Sequence, residues 1–158
     1  MLIRGKAIKF GNNIDTDQII GAHHLSLPTI GDMAPFTFEH YPHFVNCFAR
    51  GDIIVGEDNF GCGSSREQAP AVLKHRGVGA VVARSFARIF FRNAVNLGIP
   101  LFECPEANDI RDGDFLEIDD DRLCSPGAGR EYRIEPLPVF IRAIVESGGI
   151  IAHLRRKG

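Results

Sequence analysis

Residues 52–102 read DIIVGEDNFGCGSSREQAPAVLKHRGVGAVVARSFARIFFRNAVNLGIPLF, and this stretch decides the fold. Asp52–Gly56 is a short apolar run bounded by turn residues, the pattern of a buried strand. After the loop EDNFGCGSS, Arg66–His75 predicts a helix. Ala69, Val72 and Leu73 fall at helical spacing, Ser64 or Ser65 is its cap, and Gly77 stands just past its end. Ala80–Ala83 is a second apolar strand. Phe86–Leu97 predicts a second helix, with Ser85 as cap, Gly98 at its end and Phe86, Ile89, Phe90 and Val95 turned inward. Ile99–Phe102 is a third strand. Strands and helices alternating at this short spacing predict an α/β fold with a parallel β-α-β-α-β core and right-handed crossovers.

Outward from that core the pattern loosens. Residues 2–10, LIRGKAIKF, read as an opening strand, and Gly11-Asn12-Asn13 as a turn. Ile19-Ile20 reads as a short buried strand or a tucked loop. Residues 21–50 hold three prolines and four histidines and read as an irregular excursion, with a short helix over Ala34–His40 capped by Asp32. Long excursions in small domains usually carry function. Further on, Asp114–Ile118 and Glu131–Leu137 predict two strands joined by the acidic loop Asp119–Gly129. Val139–Ser147 predicts a helix stopped by Gly148-Gly149. Neither a repeat nor a linker divides the chain, so residues 1–158 read as one domain.

Composition narrows the function classes. The chain is 44% hydrophobic and 24% charged, ordinary for a soluble protein. A net charge of -2 gives no basic field for nucleic acid or an anionic membrane. No apolar run approaches the roughly 20 residues that span a bilayer, and MLIRGKAIKFG has no hydrophobic signal core, so a cytoplasmic location is expected. Cys47, Cys62, Cys104 and Cys124 lie far apart without a CxxC pair. That spacing speaks against a disulfide scaffold and against a self-contained zinc or iron–sulfur site.

Four clusters can carry chemistry. Gly61-Cys62-Gly63-Ser64-Ser65-Arg66-Glu67 lies between a predicted strand and a predicted helix. Two readings fit it: an ordinary Ser-capped helix start, or an anion cradle of backbone N–H groups with Arg66 as a planar fork. The loop lacks the lysine of a P-loop, the third glycine of a dinucleotide fingerprint and the GxSxG of a hydrolase elbow. Asp15-Thr16-Asp17 offers carboxylates for acid–base work or for orienting an arginine, or else an exposed turn. His23 and His24 are adjacent, which makes them a poor chelating pair, although one of them can touch a substrate. His40 and His43 share their region. Arg88 and Arg92 stand four residues apart on one helix face, followed by Asn93, and suit an acidic partner, a buttress for the anion site or plain solvent.

GNNIDTDQII (11–20), GEDNFGCGSSREQAP (56–70) and VVARSFARIFFRNAVNLGIPLFE (81–103) together closely resemble the small subunit of 3-isopropylmalate dehydratase, within the aconitase superfamily. The likeness runs from GKAIKFG (5–11) to GGIIAHLRRKG (148–158). It implies a swivelling β/β/α domain. It also implies a large partner subunit, in a heterodimer or heterotetramer, that carries a 4Fe–4S iron–sulfur cluster, with no cofactor or metal on this chain. The implied reaction interconverts 2-isopropylmalate and 3-isopropylmalate by dehydration and rehydration, in leucine biosynthesis. Ser64 then matches the catalytic base, Asp17 the active-site aspartate, and Ser65 and Arg66 the substrate-binding neighbours.

The resemblance also makes residues 21–34 the specificity loop, with His24, Ser26 and Leu27 toward the substrate. His24 replaces the family's usual tyrosine, and Gln68 a common histidine. Where relatives acting on tricarboxylates place an arginine, Ser26 stands here. A third carboxylate would lie unpaired, whereas Leu25 and Leu27 suit an alkyl group. Alternatives are the same chemistry on dimethylmalate, citramalate or homoaconitate, or a non-catalytic anion- or RNA-binding module. The chemistry agrees with a partnered enzyme: hydroxide leaves poorly without a Lewis acid, and these cysteine spacings supply none.

Overall fold

The computed structural model describes all 158 residues. Strand β1 (Leu2–Lys9) is followed by three short helices, α1 (Thr16–Ile19), α2 (Ile30–Met33) and α3 (Pro42–Cys47). The predicted alternation comes next: β2 (Ile53–Val55), α4 (Gln68–Arg76), β3 (Ala80–Ala83), α5 (Arg88–Asn96) and β4 (Leu101–Glu103). Strands β5 (Phe115–Asp119), β6 (Arg122–Ser125) and β7 (Arg130–Arg133) and helices α6 (Val139–Glu146) and α7 (Ile150–Lys157) complete the chain. No helix is long and apolar enough to cross a membrane.

The seven strands form one sheet in the order β4-β3-β2-β1-β5-β6-β7. From β1 to β4 all pairs are parallel, with Ala7 opposite Ile53, Ile53 opposite Ala80 and Val81 opposite Leu101. On its other edge β1 pairs antiparallel with β5, and the meander continues through β6 and β7. Strand side chains alternate between faces. Ile8, Ile54, Val81 and Leu101 join a core of 22 buried residues with α4, α5 and the aromatic residues of the excursion. Ala7, Ile53, Val55 and Val82 join a second core of 14, which contains Leu116, Ile118, Leu123 and Tyr132 from β5–β7. Residues of the antiparallel half thus cover the far face of the parallel half, and the sheet curls. Strands buried on both faces need continuous apolar runs, which is why IIV and AVVA were so legible. Ile54→Ala would cost about 2–5 kcal/mol by leaving a cavity.

Several predicted boundaries move, each for a local reason. Ile19 and Ile20 are fully buried, but they close the helical turn α1 rather than a strand. Asp15 and Gln18 form a capping box there, each side chain accepting the other's backbone N–H at 2.8 Å. The helix expected over Ala34–His40 lies earlier, at α2. Thr29 caps it rather than Asp32, and a 3-10 turn over Ala34–Phe36 follows. Helix α4 begins at Gln68 rather than Arg66, with Pro70 in its first turn, where N–H groups have no helical partner in any case. Helix α5 begins at Arg88 because Phe86 bridges Phe60 like a strand residue and Ala87 N–H donates to Phe60 O. Ser85 therefore caps nothing; its hydroxyl accepts the Asn59 N–H. Ile89 is exposed rather than inward. The loop expected over Asp119–Gly129 contains β6, reached by a tight turn with Asp120 at φ +56°. Beyond the glycine stop the chain forms α7, which the pattern did not suggest.

Candidate active site

Three segments meet at one cleft: the loop leaving β2, the turn ahead of α1 and the start of α5. Hydrogen bonds lace the first two together. Gly61 N–H donates to Ile14 O at 2.7 Å, Thr16 N–H donates to Cys62 O at 2.9 Å, and the Thr16 hydroxyl donates to Ser64 O at 2.8 Å. Gly61 sits at φ +84°, and a Cβ there would collide with the Phe90 ring on α5. Only glycine allows both that conformation and that approach. The capping box fixes α1 so that Asp17 meets Arg66: Arg66 Nη1 donates to Asp17 Oδ1 at 3.0 Å and to Ile20 O at 2.9 Å.

The donors left over define what the cleft can take. Ser64 and Ser65 are exposed, and neither hydroxyl has a partner within the chain. The backbone N–H groups of Ser64, Ser65, Arg66 and Glu67 likewise donate to nothing in the chain. Arg66 is largely buried, its Nη1 engaged and its Nε–Nη2 edge free. The cleft encloses about 370 Å³ and is lined by Thr16, Ser64, Ser65, Arg66, Arg88 and Asn93, with no acidic residue. Free donors, two guanidinium groups and that volume suit a small carboxylic acid. The Arg66 hydrogen bond, and then the Ala22 N–H on the same carboxyl, hold Asp17 below the ordinary carboxylate value. Asp17 is therefore an anion at neutral pH and orients Arg66; it has no proton to give. Burial, and then the charge of Asp15, push the Cys62 thiol up, so it stays protonated beside the site.

The expected residues divide into two groups. Ser64, Ser65 and Arg66 line the cleft, and Asp17 pairs with Arg66 at its rim. His24, Ser26 and Leu27 do not line it. His24 lies in a 3-10 turn over Ala22–His24, stacks on Phe36 at 4.0 Å and reaches Glu39 Oε1 with Nε2 at 2.8 Å. Ser26 is exposed, and Leu27 packs half-buried against the larger core. The excursion still touches the site, through Ala22 N–H on Asp17 Oδ1 at 3.0 Å. Arg88 and Asn93 line the cleft whereas Arg92 does not. Sequence reasoning missed Thr16. Its signal was a hydroxyl inside the Asp15–Gln18 box, where the helix start fixes its direction.

The adjacent histidines also behave differently from expectation. Their rings lie 3.9 Å apart, and both reach Glu39, because a tight turn does not force neighbours onto opposite faces. The cysteines do not suit an iron–sulfur cluster. Cys47 ends α3, Cys62 lies in the loop, Cys104 is buried in the second core and Cys124 is on β6, and no three of them converge.

Comparison with known proteins gives the family. The aconitase C-terminal domain family matches residues 48–106. The 3-isopropylmalate dehydratase small subunit of Methanosarcina mazei is 46% identical over 157 residues, covering 98% of this chain and 97% of that protein. Small subunit 1 of the same enzyme from Archaeoglobus fulgidus is 47% identical, covering 93% of each chain. The crystal structure of 3-isopropylmalate dehydratase from Methanocaldococcus jannaschii superposes with a TM-score of 0.93 at 37% identity, over 99% of this chain and 95% of that one.

Proposed function

This chain belongs to the 3-isopropylmalate dehydratase small-subunit family, and from that premise we propose that it supplies the proton-transfer half of a hydro-lyase site. The reaction is the interconversion of 2-isopropylmalate and 3-isopropylmalate, in cytoplasmic leucine biosynthesis. The observation that carries the reading is the cluster of free donors around an unpaired Ser64, beside an arginine already held in place.

The chain's own residues then have separate tasks. The Nε–Nη2 edge of Arg66 takes a substrate carboxylate, while Asp17 and Ile20 O keep the guanidinium from turning. The Ser65 hydroxyl and the neighbouring N–H groups hold the same end of the substrate. Ser64 Oγ, as the alkoxide, removes the proton from the carbon next to the hydroxyl-bearing one. Serine is a weak acid, so that alkoxide needs the preorganised N–H groups and the Arg66 charge. The C–H electron pair forms the carbon–carbon double bond as hydroxide leaves the adjacent carbon. Returning proton and hydroxide to the opposite carbons gives the isomer. The Lewis acid for the departing hydroxide comes from a large subunit bearing a 4Fe–4S cluster, since the cysteines of this chain do not converge.

Substrate choice belongs to residues 21–34. Ser26 offers no cation to a third carboxylate, and Leu27 offers apolar surface to an isopropyl group. His24 holds this segment through Phe36 and Glu39. The test is turnover by the complex with its co-expressed large subunit, assembled without oxygen. Isopropylmalate, homocitrate, citrate, citramalate and dimethylmalate are offered in parallel. The expected result is a clear preference for isopropylmalate. A preference for a tricarboxylate would mean that a cation from elsewhere replaces the missing arginine and that Ser26 and Leu27 do not set the choice.

A further inference from the structure

Three imidazoles converge on a single carboxylate oxygen outside the cleft. His24 Nε2 lies 2.8 Å from Glu39 Oε1, His23 Nε2 3.4 Å and His40 Nε2 3.8 Å. A carboxylate oxygen has two lone pairs, so it cannot accept a good hydrogen bond from all three. One cation placed among the ligating atoms of His23, His24 and Glu39 can be held by all three. Ligand atoms about 2.0–2.1 Å from a tetrahedral zinc ion stand roughly 3.3 Å from each other, and the separations here bracket that value. The ligating atoms of His23, His24 and Glu39 all lie within 4.8 Å of one another.

The surroundings hold this arrangement in place. Phe36 stacks on the His24 ring at 4.0 Å and 12°, which fixes its direction. Gly21 lies against the cluster: a Cβ there would stand 2.8 Å from His23 Cε1 and 3.7 Å from Glu39 Oε1. Its φ of -65° is open to any residue, so a side chain there would disturb the His23 ring rather than the backbone. Glu39 is the acid that meets all three rings, which sets one negative charge against the two of the ion.

We propose that His23, His24 and Glu39 form a binding site for a divalent transition metal of the zinc class. Imidazole nitrogens with one carboxylate are the donor set such ions prefer over magnesium or calcium. The ligands come from two places fifteen residues apart, one just after α1 and one just before α3. A bound ion would therefore clamp both ends of the segment between them. The site rests on this geometry and not on the proposed reaction.

The test uses the full chain, stripped with a chelator and titrated with Co²⁺ while its visible d–d absorption is followed. Zn²⁺ is then added in competition. The expected result is saturation at one ion per chain, with the Co²⁺ bands bleached by Zn²⁺. Glu39→Gln and His23→Ala should each weaken binding at least as much as loss of a supporting partner does, about tenfold to a hundredfold. His23 is exposed, so its removal leaves the fold intact, and a thermal melt of each variant verifies this. His153→Ala, on α7, should bind like the parent. Absence of saturable binding in the parent would overturn the proposal. So would binding that survives Glu39→Gln and His23→Ala together, or binding lost equally in His153→Ala.

Discussion

The loop Gly61–Glu67 and the segment Gly21–His40 flank the same small helix, α1, yet use their polar groups in opposite ways. The loop is held by its backbone, with Gly61 on Ile14 and Phe90, Cys62 on Thr16 and Ser64 O under the Thr16 hydroxyl, and by one side chain, Arg66, on Asp17 and Ile20 O. Its side-chain hydroxyls and four successive N–H groups stay free. The segment pairs several of its side chains with one another. His24 bonds Glu39, Thr29 and Asp32 bond each other, and Phe36 covers His24. Groups left unpaired on a firmly held backbone are preorganised for something absent from the chain. Groups paired locally hold a shape. On the proposed function, the chemistry falls to the loop and the choice of substrate to the segment.

Four substitutions press on that contrast. The largest effect is expected at Gly61→Val, which meets Phe90 and demands a positive φ. Urea denaturation should show a loss of about 3 kcal/mol or more, from overpacking and backbone strain. A loss below about 1 kcal/mol, the size of an average substitution, would mean the loop is not held as described. Next comes Arg66→Lys in the assembled complex. Losing a charge-assisted fork of about 1.5–3 kcal/mol should raise KM for isopropylmalate roughly tenfold to a hundredfold. An unchanged KM would remove Arg66 from substrate binding. Ser26→Arg should shift the kcat/KM ratio of citrate to isopropylmalate upward by about tenfold, the scale of one new polar contact. If the ratio stays fixed, the segment does not choose the substrate.

The smallest effect concerns pH. The folded value of Asp17 lies below its ordinary 3.8, owing first to Arg66 and then to the Ala22 N–H. A lowered carboxylate stabilises the fold above its unfolded value, and that contribution disappears as pH falls through the folded one. Asp17→Asn should therefore be slightly less stable than the parent above about pH 4, and the difference should close as pH falls below it, because only the parent loses the contribution. Because Asp17 is mostly exposed, the difference is small, as for surface pairs generally. Identical acid limbs would contradict the pairing of Asp17 with Arg66.

Much of this was legible in the sequence, and the exceptions have physical causes. Runs such as IIV and AVVA show themselves because both faces of a parallel strand are buried. GCGSSRE left two readings open, a capped helix start or an anion cradle, and Asp17 three, of which the structure shows the arginine partner. Helix starts were misplaced where tertiary contacts override local capping: Ser85 answers Asn59, and Phe86 bridges Phe60, before α5 can begin. Strand β6 was hidden because RLCS is bounded by the same acidic and Gly/Pro residues that mark a loop. The convergence of His23, His24 and His40 on Glu39 depends on a turn closing over fifteen residues, which no spacing rule reports.

The account stands or falls on Ser64. Its most direct test is isopropylmalate turnover by the anaerobically assembled complex carrying Ser64→Ala, with assembly followed by size-exclusion chromatography. The Ser64 hydroxyl has no hydrogen-bond partner in the chain and the residue is exposed, so the variant should fold and assemble like the parent. The predicted result is intact assembly with turnover abolished. Turnover close to that of the parent would show that another group takes the proton and that the cleft serves only to bind.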